Sequence, residues 1–399
     1  STPEKRSKIT VSVIGCGLRG IYYSMLFAES GFKVVCVDAN QSLIKQVAKG
    51  KTQFSDEDIE TKLKLLIKNE QIVTSNEIEA AVSKSSIIII TAKPKENQTN
   101  TDYSEIKRCC KQIGASLKKE SLVIYSDVAG LGFIKETVKE TLEDTSGLKI
   151  GEDFGLVYCS IQNLSISKKN ADPYDIVIAA LEKNSLKAAT TIFSVLGKNN
   201  IKITLNMEAA ELTTLFQAAK REVNLALINE LAIFCENVGV DYQETMKLSQ
   251  ERGIMNSVKP KIGYEEKLKH ISLLEDSAEN IDFKLKLLSI ARQINEDMIK
   301  HAVNLSQDAL RNGEKTLRRA KIAVLGTAGP NTANLKLIEI LEAKGAKINR
   351  YDPQEPNNII TEKEPTVKRT IYEAAESTDC IIILTEQEQL KRLNLKRLK

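Results

Sequence analysis

The sequence predicts an α/β protein in which two parallel-sheet domains, the second of them shortened, are joined by a long central helix. Short β-branched runs alternate with longer amphipathic stretches over about the first 200 residues, as is typical of βαβ units. A helical pattern without Gly or Pro then runs over residues 207–238. A second alternating pattern begins at Lys321, so a second parallel sheet is expected there.

Each predicted element follows from its own run of residues. Strands are expected at 8–14, 32–37, 86–91, 122–125 and 156–159, with a helix at about 19–29. A further helix is expected at 283–312, and strands at 321–325, 346–351 and 380–385 accompany a helix at 335–344. On the central helix, apolar residues at spacings of three and four predict one buried face, formed by Leu212, Leu215, Phe216, Ala219, Val223, Leu227 and Leu231. These patterns divide the chain into domains at 1–205, 206–312 and 313–399.

Charge and composition argue against several classes of function. A net charge of +4 from 57 basic and 53 acidic residues gives no reason to expect a nucleic acid or an anionic membrane as partner. No apolar run approaches the roughly 20 residues that span a bilayer, and the first residues lack the apolar segment of a secretion signal. The seven cysteines are scattered and lack metal-ligand spacing, which indicates reduced thiols. A cytoplasmic protein without a metal site is therefore expected.

The strongest chemical motif lies between the first strand and the first helix, where residues 15–20 read Gly-Cys-Gly-Leu-Arg-Gly. Such glycines permit a tight turn and a close approach of the backbone to a pyrophosphate, which the helix N-terminus also attracts. Asp38 ends the second strand, where a carboxylate bonds a ribose 2′-hydroxyl and repels a 2′-phosphate. The pattern predicts a Rossmann-like domain that binds NAD, and the candidate cofactor residues are Gly15, Gly17, Leu18, Arg19, Gly20 and Asp38. The alternatives are a Rossmann turn that keeps its form without its ligand, and an Arg19 that is solvated at the start of the helix.

Several separated blocks resemble the nucleotide-sugar 6-dehydrogenase family, whose members oxidise UDP-glucose or UDP-N-acetylmannosamine. Residues 13–38 are similar to the family's opening, and residues 147–154, Gly-Leu-Lys-Ile-Gly-Glu-Asp-Phe, to the segment before its substrate-contacting strand. Residues 210–213 and 229–231 fit its central helix, while 343–346 and 351–353 fit its second nucleotide-binding domain. The resemblance implies two Rossmann-like domains, a homodimer formed through the long helix, and a nucleotide or nucleotide sugar as a further ligand.

The resemblance also implies which residues such an enzyme uses. In the family, a cysteine thiolate attacks an aldehyde after the first of two hydride transfers to NAD, and a lysine and an asparagine stabilise the developing negative charge. Here Thr214 stands where the lysine would be, and Ala218 where the asparagine would be. The family's Gly-Gly-x-Cys segment is absent, and a count without gaps puts Glu266 near the cysteine and His270 near the water-activating aspartate. We therefore expect a divergent member that lacks the family's catalytic residues.

A few other residues are candidates for chemistry in their own right. Cys159 is expected to be a small buried thiol, and His270, a lone histidine without a recognisable partner, to lie at the surface. His301 is expected to be structural. The basic, amphipathic residues 391–399 are expected to form a solvated helix, with contact to a nucleic acid or an anionic surface as the alternative.

Three hypotheses of function remain open at this point. The first is a homologue that binds NAD without oxidising sugars and acts as a sensor or a regulatory pseudoenzyme. The second is an active NAD-dependent oxidoreductase with a relocated catalytic set, which performs a single hydride transfer. The third is a structural or assembly protein that keeps only the fold. NAD binding separates the third from the others, and NADH formation separates the first from the second.

Overall fold

The computed structural model describes residues 2–54, 57–96, 101–161, 175–197, 200–249, 259–263, 268–326, 332–352, 367–385 and 390. These residues form two compact units. The first comprises Ser1–Gln217 with Lys269–Lys284, and the second comprises Ala218–Leu268 with Leu285–Lys399. The division of the chain into three domains at 205 and 312 stays a prediction.

The first unit is built on one large, mainly parallel sheet. Its strands are β1 (Thr10–Ile14), β2 (Lys33–Val37), β3 (Ile72–Ser75), β4 (Ile87–Ile90), β5 (Lys95–Glu96), β6 (Thr101–Asp102), β7 (Leu122–Tyr125), β8 (Gly155–Ile161), β9 (Asp175–Ala180) and β10 (Asn200–Thr204). Eight strands pair in the order β10-β9-β8-β7-β4-β1-β2-β3, and β5 pairs with β6 as a separate short hairpin. Within the eight-stranded sheet the pairing is parallel except that β9 runs antiparallel to β8, and the separate β5–β6 hairpin is antiparallel. The predicted parallel sheet is confirmed, whereas β3, β9 and β10 were not predicted.

Helices cover both faces of this sheet. They are α1 (Pro3–Arg6), α2 (Leu18–Glu29), α3 (Gln41–Val47), α4 (Glu57–Lys68), α5 (Ile78–Val82), α6 (Ser104–Ser116), a π-helical turn (Ile134–Lys139), α7 (Glu140–Ser146) and α8 (Lys183–Val195). Side chains alternate along each strand, so Val11 and Val13 of β1 belong to the core beneath α2 and α4. Ile14 belongs to the opposite core, with residues of α5 and α6. Both faces of the sheet are buried beneath helices, as a doubly wound sheet requires.

The long helix α9 (Met207–Val238) has the bounds that the sequence predicted and belongs partly to each unit. Its predicted buried face is partly wrong, because Phe216, Leu227 and Leu231 are exposed. The side chains that are buried instead include Glu211, Thr214, Ala218, Leu225 and Asn229. The helix carries apolar residues on two faces, and periodicity alone did not distinguish the face that packs within the chain.

The second unit carries a smaller sheet. After α10 (Tyr242–Ser249), α11 (Leu268–Glu279) returns to the first unit, and the second unit continues with α12 (Lys286–Asn312), β11 (Lys321–Leu325), α13 (Thr332–Ala343), β12 (Lys347–Tyr351), α14 (Ile371–Ala375) and β13 (Cys380–Ile383). Its three strands are parallel and pair in the order β12-β11-β13. Buried residues of α12 and α13 pack on this sheet and form its core.

Among the described residues, no single helix is long and apolar enough to cross a membrane. By length and composition, the helices α9 and α10 meet that requirement only as a pair, and the pair is bent by 117°.

Candidate functional site

The glycine-rich loop between β1 and α2 has the backbone that a dinucleotide site needs. Gly15 has a φ of +107°, a value that only glycine adopts without strain, and its N–H donates to the Val37 carbonyl at 2.7 Å. A Cβ at Gly20 would lie 1.7 Å from the Gly15 carbonyl oxygen, so this glycine is required for α2 to pack on the loop. A Cβ at Gly17 would have no described atom within 4 Å, which leaves open space beside the N-terminus of α2.

Asp38 closes the opposite side of this loop. Its Oδ2 accepts a hydrogen bond from the Cys16 N–H at 2.8 Å, and its Oδ1 accepts one from the Asn40 N–H at 2.9 Å. The carboxylate is thereby fixed at the C-terminal end of β2 and only partly buried, while each oxygen keeps a second lone pair for a ligand hydroxyl. The predicted residues Gly15, Gly17, Gly20 and Asp38 therefore meet at one point.

These residues fit NAD. In the sheet, β2 and β3 lie on one side of β1, and β4 lies on the other side, so the strand order reverses at β1. In such folds ligands bind at this reversal, beyond the carboxyl ends of the strands. The diphosphate would lie in the open space at Gly17, against the free N–H groups of α2. Asp38 would receive the hydroxyls of the adenosine ribose, and the exposed Leu18 side chain borders the same space.

Arg19 is not solvated at the start of α2, which was one of the two sequence-based interpretations, and its contact with a phosphate stays a prediction. Its side chain is only 14% exposed, and its Nε lies 3.7 Å from Oδ2 of Asp127, which is 6% exposed. Asp127 follows the end of β7, and its Oδ1 accepts a hydrogen bond from the Val128 N–H at 2.7 Å. The Arg19 side chain therefore turns inward from α2 toward the end of β7.

A buried polar cluster lies at the same edge of the sheet. The Tyr23 hydroxyl hydrogen-bonds to Ser126, and the Ser126 hydroxyl donates to the Cys159 carbonyl at 2.9 Å. Cys159 has no exposed surface, and burial raises the pKa of its thiol to about 12. The prediction of a small buried thiol is confirmed, and the high pKa makes Cys159 a poor nucleophile at neutral pH.

Thr214 and Ala218 are the residues that the resemblance aligns with the family's lysine and asparagine. Thr214 is buried, and its hydroxyl lies 2.7 Å from the hydroxyl of Ser160, near the end of β8. Ala218 is buried on the same helix and offers no polar side-chain atom. At these two positions the chain therefore supplies a neutral hydroxyl pair and a methyl group rather than an ammonium and an amide.

The other predicted positions have different outcomes. Glu266 lies outside the described residues, as do residues 391–399. His270 was expected at the surface, but it is only 7% exposed. The reason is its place on α11, whose neighbouring Ile271, Leu273 and Leu274 are buried and bring the imidazole inward with them. His301 lies in the second unit with its Nε2 2.7 Å from Oε2 of Glu236, an acidic partner that the sequence did not reveal.

Glu211, one turn before Leu215 on α9, braces the loop that follows β7. It is fully buried, and its two oxygens accept hydrogen bonds from the N–H groups of Gly132 and Ile134 at 2.7 and 2.8 Å. Burial raises the pKa of this carboxyl to about 7 despite the two hydrogen bonds. The side chain therefore titrates near neutral pH while it holds the start of the π-helical turn.

Sequence reasoning missed three contributors to this edge of the sheet. Asp127 and Ser160 were not among the candidate residues. Thr91, just after β4, donates its hydroxyl to the carbonyls of Ile14 and Gly15 at 3.0 and 3.2 Å and so holds the glycine loop from below. A charged residue two positions after a buried strand, as at Asp127, is a signal in the sequence that could have marked this edge of the sheet, although it does not identify the partner.

Comparisons with known proteins agree along the whole chain. Three profiles of the UDP-glucose/GDP-mannose dehydrogenase family match: the NAD-binding domain over residues 9–196, the central domain over 208–297 and the UDP-binding domain over 330–399. A UDP-N-acetyl-D-mannosamine dehydrogenase of Pyrococcus horikoshii is 26% identical over 394 residues, covering 96% of this chain and 91% of the relative. A UDP-glucose 6-dehydrogenase of Bacillus subtilis is 26% identical over 408 residues, covering 98% and 86%.

Solved structures give the same result. The UDP-N-acetylmannosamine dehydrogenase structure from Pyrococcus horikoshii superposes with a TM-score of 0.86 at 25% identity, covering 98% of this chain and 92% of the other. A UDP-glucose dehydrogenase from Pyrobaculum islandicum shares the fold, with a TM-score of 0.85 at 18% identity and coverage of 99% and 94%. Both the predicted family and the predicted use of NAD are confirmed. With three profiles that together match most of its length, the chain belongs to the UDP-glucose/GDP-mannose dehydrogenase family.

Proposed function

We propose that this protein binds NAD but does not carry out the family's oxidation of a sugar nucleotide, and that it acts as a regulatory or sensor-like member of the family. The observation that carries the proposal is the hydroxyl pair of Thr214 and Ser160. It occupies the position of the family's lysine with neutral groups that hydrogen-bond to each other at 2.7 Å. The glycine loop and Asp38, by contrast, keep the turn, the open space and the carboxylate of a dinucleotide site.

The chemistry of the family supports this proposal. When bound, NAD accepts a hydride from the sugar carbon, but the second oxidation also needs a thiolate and cations or amides directed at a developing oxyanion. The sequence has no cysteine between Cys235 and Cys380, the interval in which the family's nucleophile falls. Cys159 is no substitute, because burial keeps its thiol protonated. Removing one oxyanion donor costs about 100- to 1000-fold in rate, so several losses together reduce the family's reaction below detection.

The test is a pair of measurements on the purified, nucleotide-free protein. Calorimetric titration with NADH is expected to give a Kd of about 1–100 μM, a range typical of a reversible cofactor or sensor. Incubation with NAD and UDP-glucose, UDP-N-acetylmannosamine or GDP-mannose is expected to form no NADH. Under the same conditions, the Bacillus subtilis relative serves as the positive control.

Each other outcome selects one of the remaining hypotheses. Formation of NADH at roughly 1–1000 turnovers per second would show an active oxidoreductase with a relocated catalytic set, and would overturn the proposal. No binding at millimolar NADH would mean that Gly15, Gly17 and Gly20 serve the fold alone, and a structural role would take its place.

A second copy of the chain is the proposed partner for the exposed apolar stripe on α9. Leu227, Leu231, Phe234 and Val238 are spaced by three and four residues, and their exposed fractions run from 36% to 62%. A stripe of this period is the pattern by which two helices pack against each other, and the resemblance places the family's dimer contact on this helix. Sedimentation velocity is expected to show a dimer that Phe234→Lys dissociates, whereas Leu65→Lys, which changes an equally exposed leucine on α4, leaves it intact. A monomeric wild-type protein would refute the dimer.

A further inference from the structure

The Arg19 guanidinium is a partly buried cation whose N–H donors are not used by the described residues. The side chain is 14% exposed, and within the described part of the chain its ion-pair partner is Asp127, whose Oδ2 lies 3.7 Å from the Arg19 Nε. That distance is an ion pair and not a hydrogen bond, so the five N–H groups of the guanidinium make no hydrogen bond to any described residue. A guanidinium held out of water without hydrogen bonds is costly, and an anionic ligand that reached it would recover that cost.

The position of this cation relative to the sheet decides which ligand group it meets. The strand order β7-β4-β1-β2 puts Asp38, at the end of β2, on one side of the glycine loop and Asp127, after β7, on the other. A nucleotide whose ribose is bound by Asp38 therefore extends its far end toward β4 and β7. Arg19 is the second residue of α2 and points to that side, since its guanidinium lies beside Asp127. The anionic group nearest this side is the phosphate farther from the adenosine, here called the distal phosphate.

We propose that Arg19 binds the distal phosphate of a dinucleotide held by the glycine loop, and that Asp127 is a resident counter-ion that competes with this phosphate for the guanidinium. Arginine pairs with phosphate through two parallel hydrogen bonds, which the long contact with Asp127 leaves available. The inference rests on the proposed NAD binding and deepens it, because it assigns to one buried pair the control of affinity for the diphosphate.

Two roles for Asp127, competition with the phosphate and structural support of Arg19, predict opposite changes in ligand affinity for Asp127→Asn. If Asp127 only stabilised Arg19, removing its charge would loosen the site and weaken the ligand. If Asp127 competes with the phosphate, Asp127→Asn frees the guanidinium and removes one negative charge from the site, so a diphosphate binds more tightly. Removing the guanidinium itself weakens a diphosphate in either case, but it affects a monophosphate only if Arg19 reads the phosphate next to the adenosine.

The experiment is calorimetric titration of NADH, ADP and AMP into the full chain and three variants. Arg19→Met is expected to lower the affinity for ADP about tenfold or more, which is the usual loss for a hydrogen bond to a charged group. The same variant is expected to change the affinity for AMP by less than about twofold. Asp127→Asn is expected to tighten ADP about three- to tenfold. The double variant Arg19→Met/Asp127→Asn leaves no buried carboxylate without its cationic partner. It is expected to bind ADP as weakly as Arg19→Met. Asp144→Asn, which removes a carboxylate from an exposed site on α7, is the charge-matched control and is expected to leave ADP binding unchanged.

Every other outcome overturns the inference in an identifiable way. A lower affinity for ADP in Asp127→Asn would assign Asp127 a supporting role. Equal losses of affinity for ADP and AMP in Arg19→Met would exclude the distal phosphate as the group that Arg19 binds. Tightening by Asp144→Asn as large as that by Asp127→Asn would reduce the effect to net charge. Wild-type protein that binds neither NADH nor ADP would refute the proposed function as well, whereas wild-type binding with unchanged variants would refute the role of Arg19 alone.

Discussion

In our proposal, two regions at the carboxyl edge of the large sheet differ in how much they keep of what the family requires. At the glycine loop, the turn, the open space at Gly17 and the carboxylate of Asp38 are all present. Near the end of β8, Ser160 is paired with Thr214, which the resemblance aligns with the family's lysine. The first region is built from backbone conformation and the second from side-chain chemistry. The contrast raises the question of how far the fold itself depends on the residues of the glycine loop.

The glycines themselves separate these two demands. Gly20 is required by packing, because a Cβ there would lie 1.7 Å from the Gly15 carbonyl oxygen. Gly17 has an ordinary extended backbone, with φ −70° and ψ −172°, and no described atom near its missing Cβ. No packing contact requires glycine at position 17, which is the N-cap of α2, whereas a bound diphosphate would need the space beside it. Substitutions at positions 17 and 20 therefore test whether the loop is kept for the cofactor or for the fold.

The largest expected effect is that of Gly17→Val on cofactor binding. The valine would fill the open space in which the diphosphate lies, so we expect NADH affinity to fall about 100-fold or more, or about 2.7 kcal/mol. The free energy of unfolding is expected to fall by about 1 kcal/mol at most, because the valine meets no described neighbour but is a poor N-cap residue for α2. Calorimetric titration and denaturant unfolding measure the two quantities on the same sample.

Gly20→Ala is the matched control, and its expected pattern is different. The added methyl meets backbone rather than empty space, so the variant loses stability as well as affinity. If Gly17→Val bound NADH like the wild type, the loop would not be the cofactor site, and the contrast between the two regions would disappear.

The next effect concerns Glu211, which links α9 to the loop after β7. Its carboxyl has a folded-state pKa of about 7 against an ordinary value of 4.5, because burial disfavours its charge. A raised pKa means that the contribution of Glu211 to stability is full below pH 4.5 and is lost as pH rises through 7. The loss amounts to at most about 3 kcal/mol between those limits. Unfolding free energies of wild type and Glu211→Gln, measured from pH 5 to pH 8, are expected to converge at low pH, with the wild type falling below the variant at high pH.

The difference between the two curves is the quantity to examine, since titration of all other groups cancels in it. Glu208 and Lys135, which form an exposed ion pair nearby, keep the same partners in both proteins. A difference that stays constant from pH 5 to pH 8 would place the folded-state pKa of Glu211 near its ordinary value. A wild type that gains stability with pH relative to the variant would mean that the hydrogen bonds from Gly132 and Ile134 outweigh the cost of burial.

The sequence predicted those parts of the molecule that depend on the local pattern. Residues 15–20 and Asp38 form a fixed arrangement of turn, helix and strand end, and the structure brings them together as expected. The bounds of α9 were also predicted, because a helix of 32 residues leaves a long periodic signal. Where the signal lies within a few consecutive residues, sequence reasoning was sufficient.

Features that depend on contacts between distant residues could not be predicted in this way. The ion pair of Arg19 and Asp127 joins residues more than 100 positions apart, and neither position indicates its partner. Phe216 and Leu227 were predicted to be buried because the apolar period of α9 fits two faces, and only tertiary packing selects one. His270 was placed at the surface from its residue type, although its helix neighbours carry it inward. In each case the deciding atom lies far along the chain.

The smallest expected effect tests whether the hydroxyl pair near β8 has any part in ligand binding. Thr214→Val keeps the form of the side chain but removes the hydroxyl that lies 2.7 Å from Ser160, so we expect a loss of about 1–2 kcal/mol in the free energy of unfolding. Thr214→Ser retains the hydroxyl and serves as the control, with the smaller loss of one buried methyl group. Neither variant is expected to change NADH affinity, because in our proposal the pair serves packing alone. A change in NADH affinity of more than about fivefold in Thr214→Val, with Thr214→Ser unaffected, would show that this hydroxyl participates in the cofactor site, because about 1 kcal/mol of binding would then depend on it.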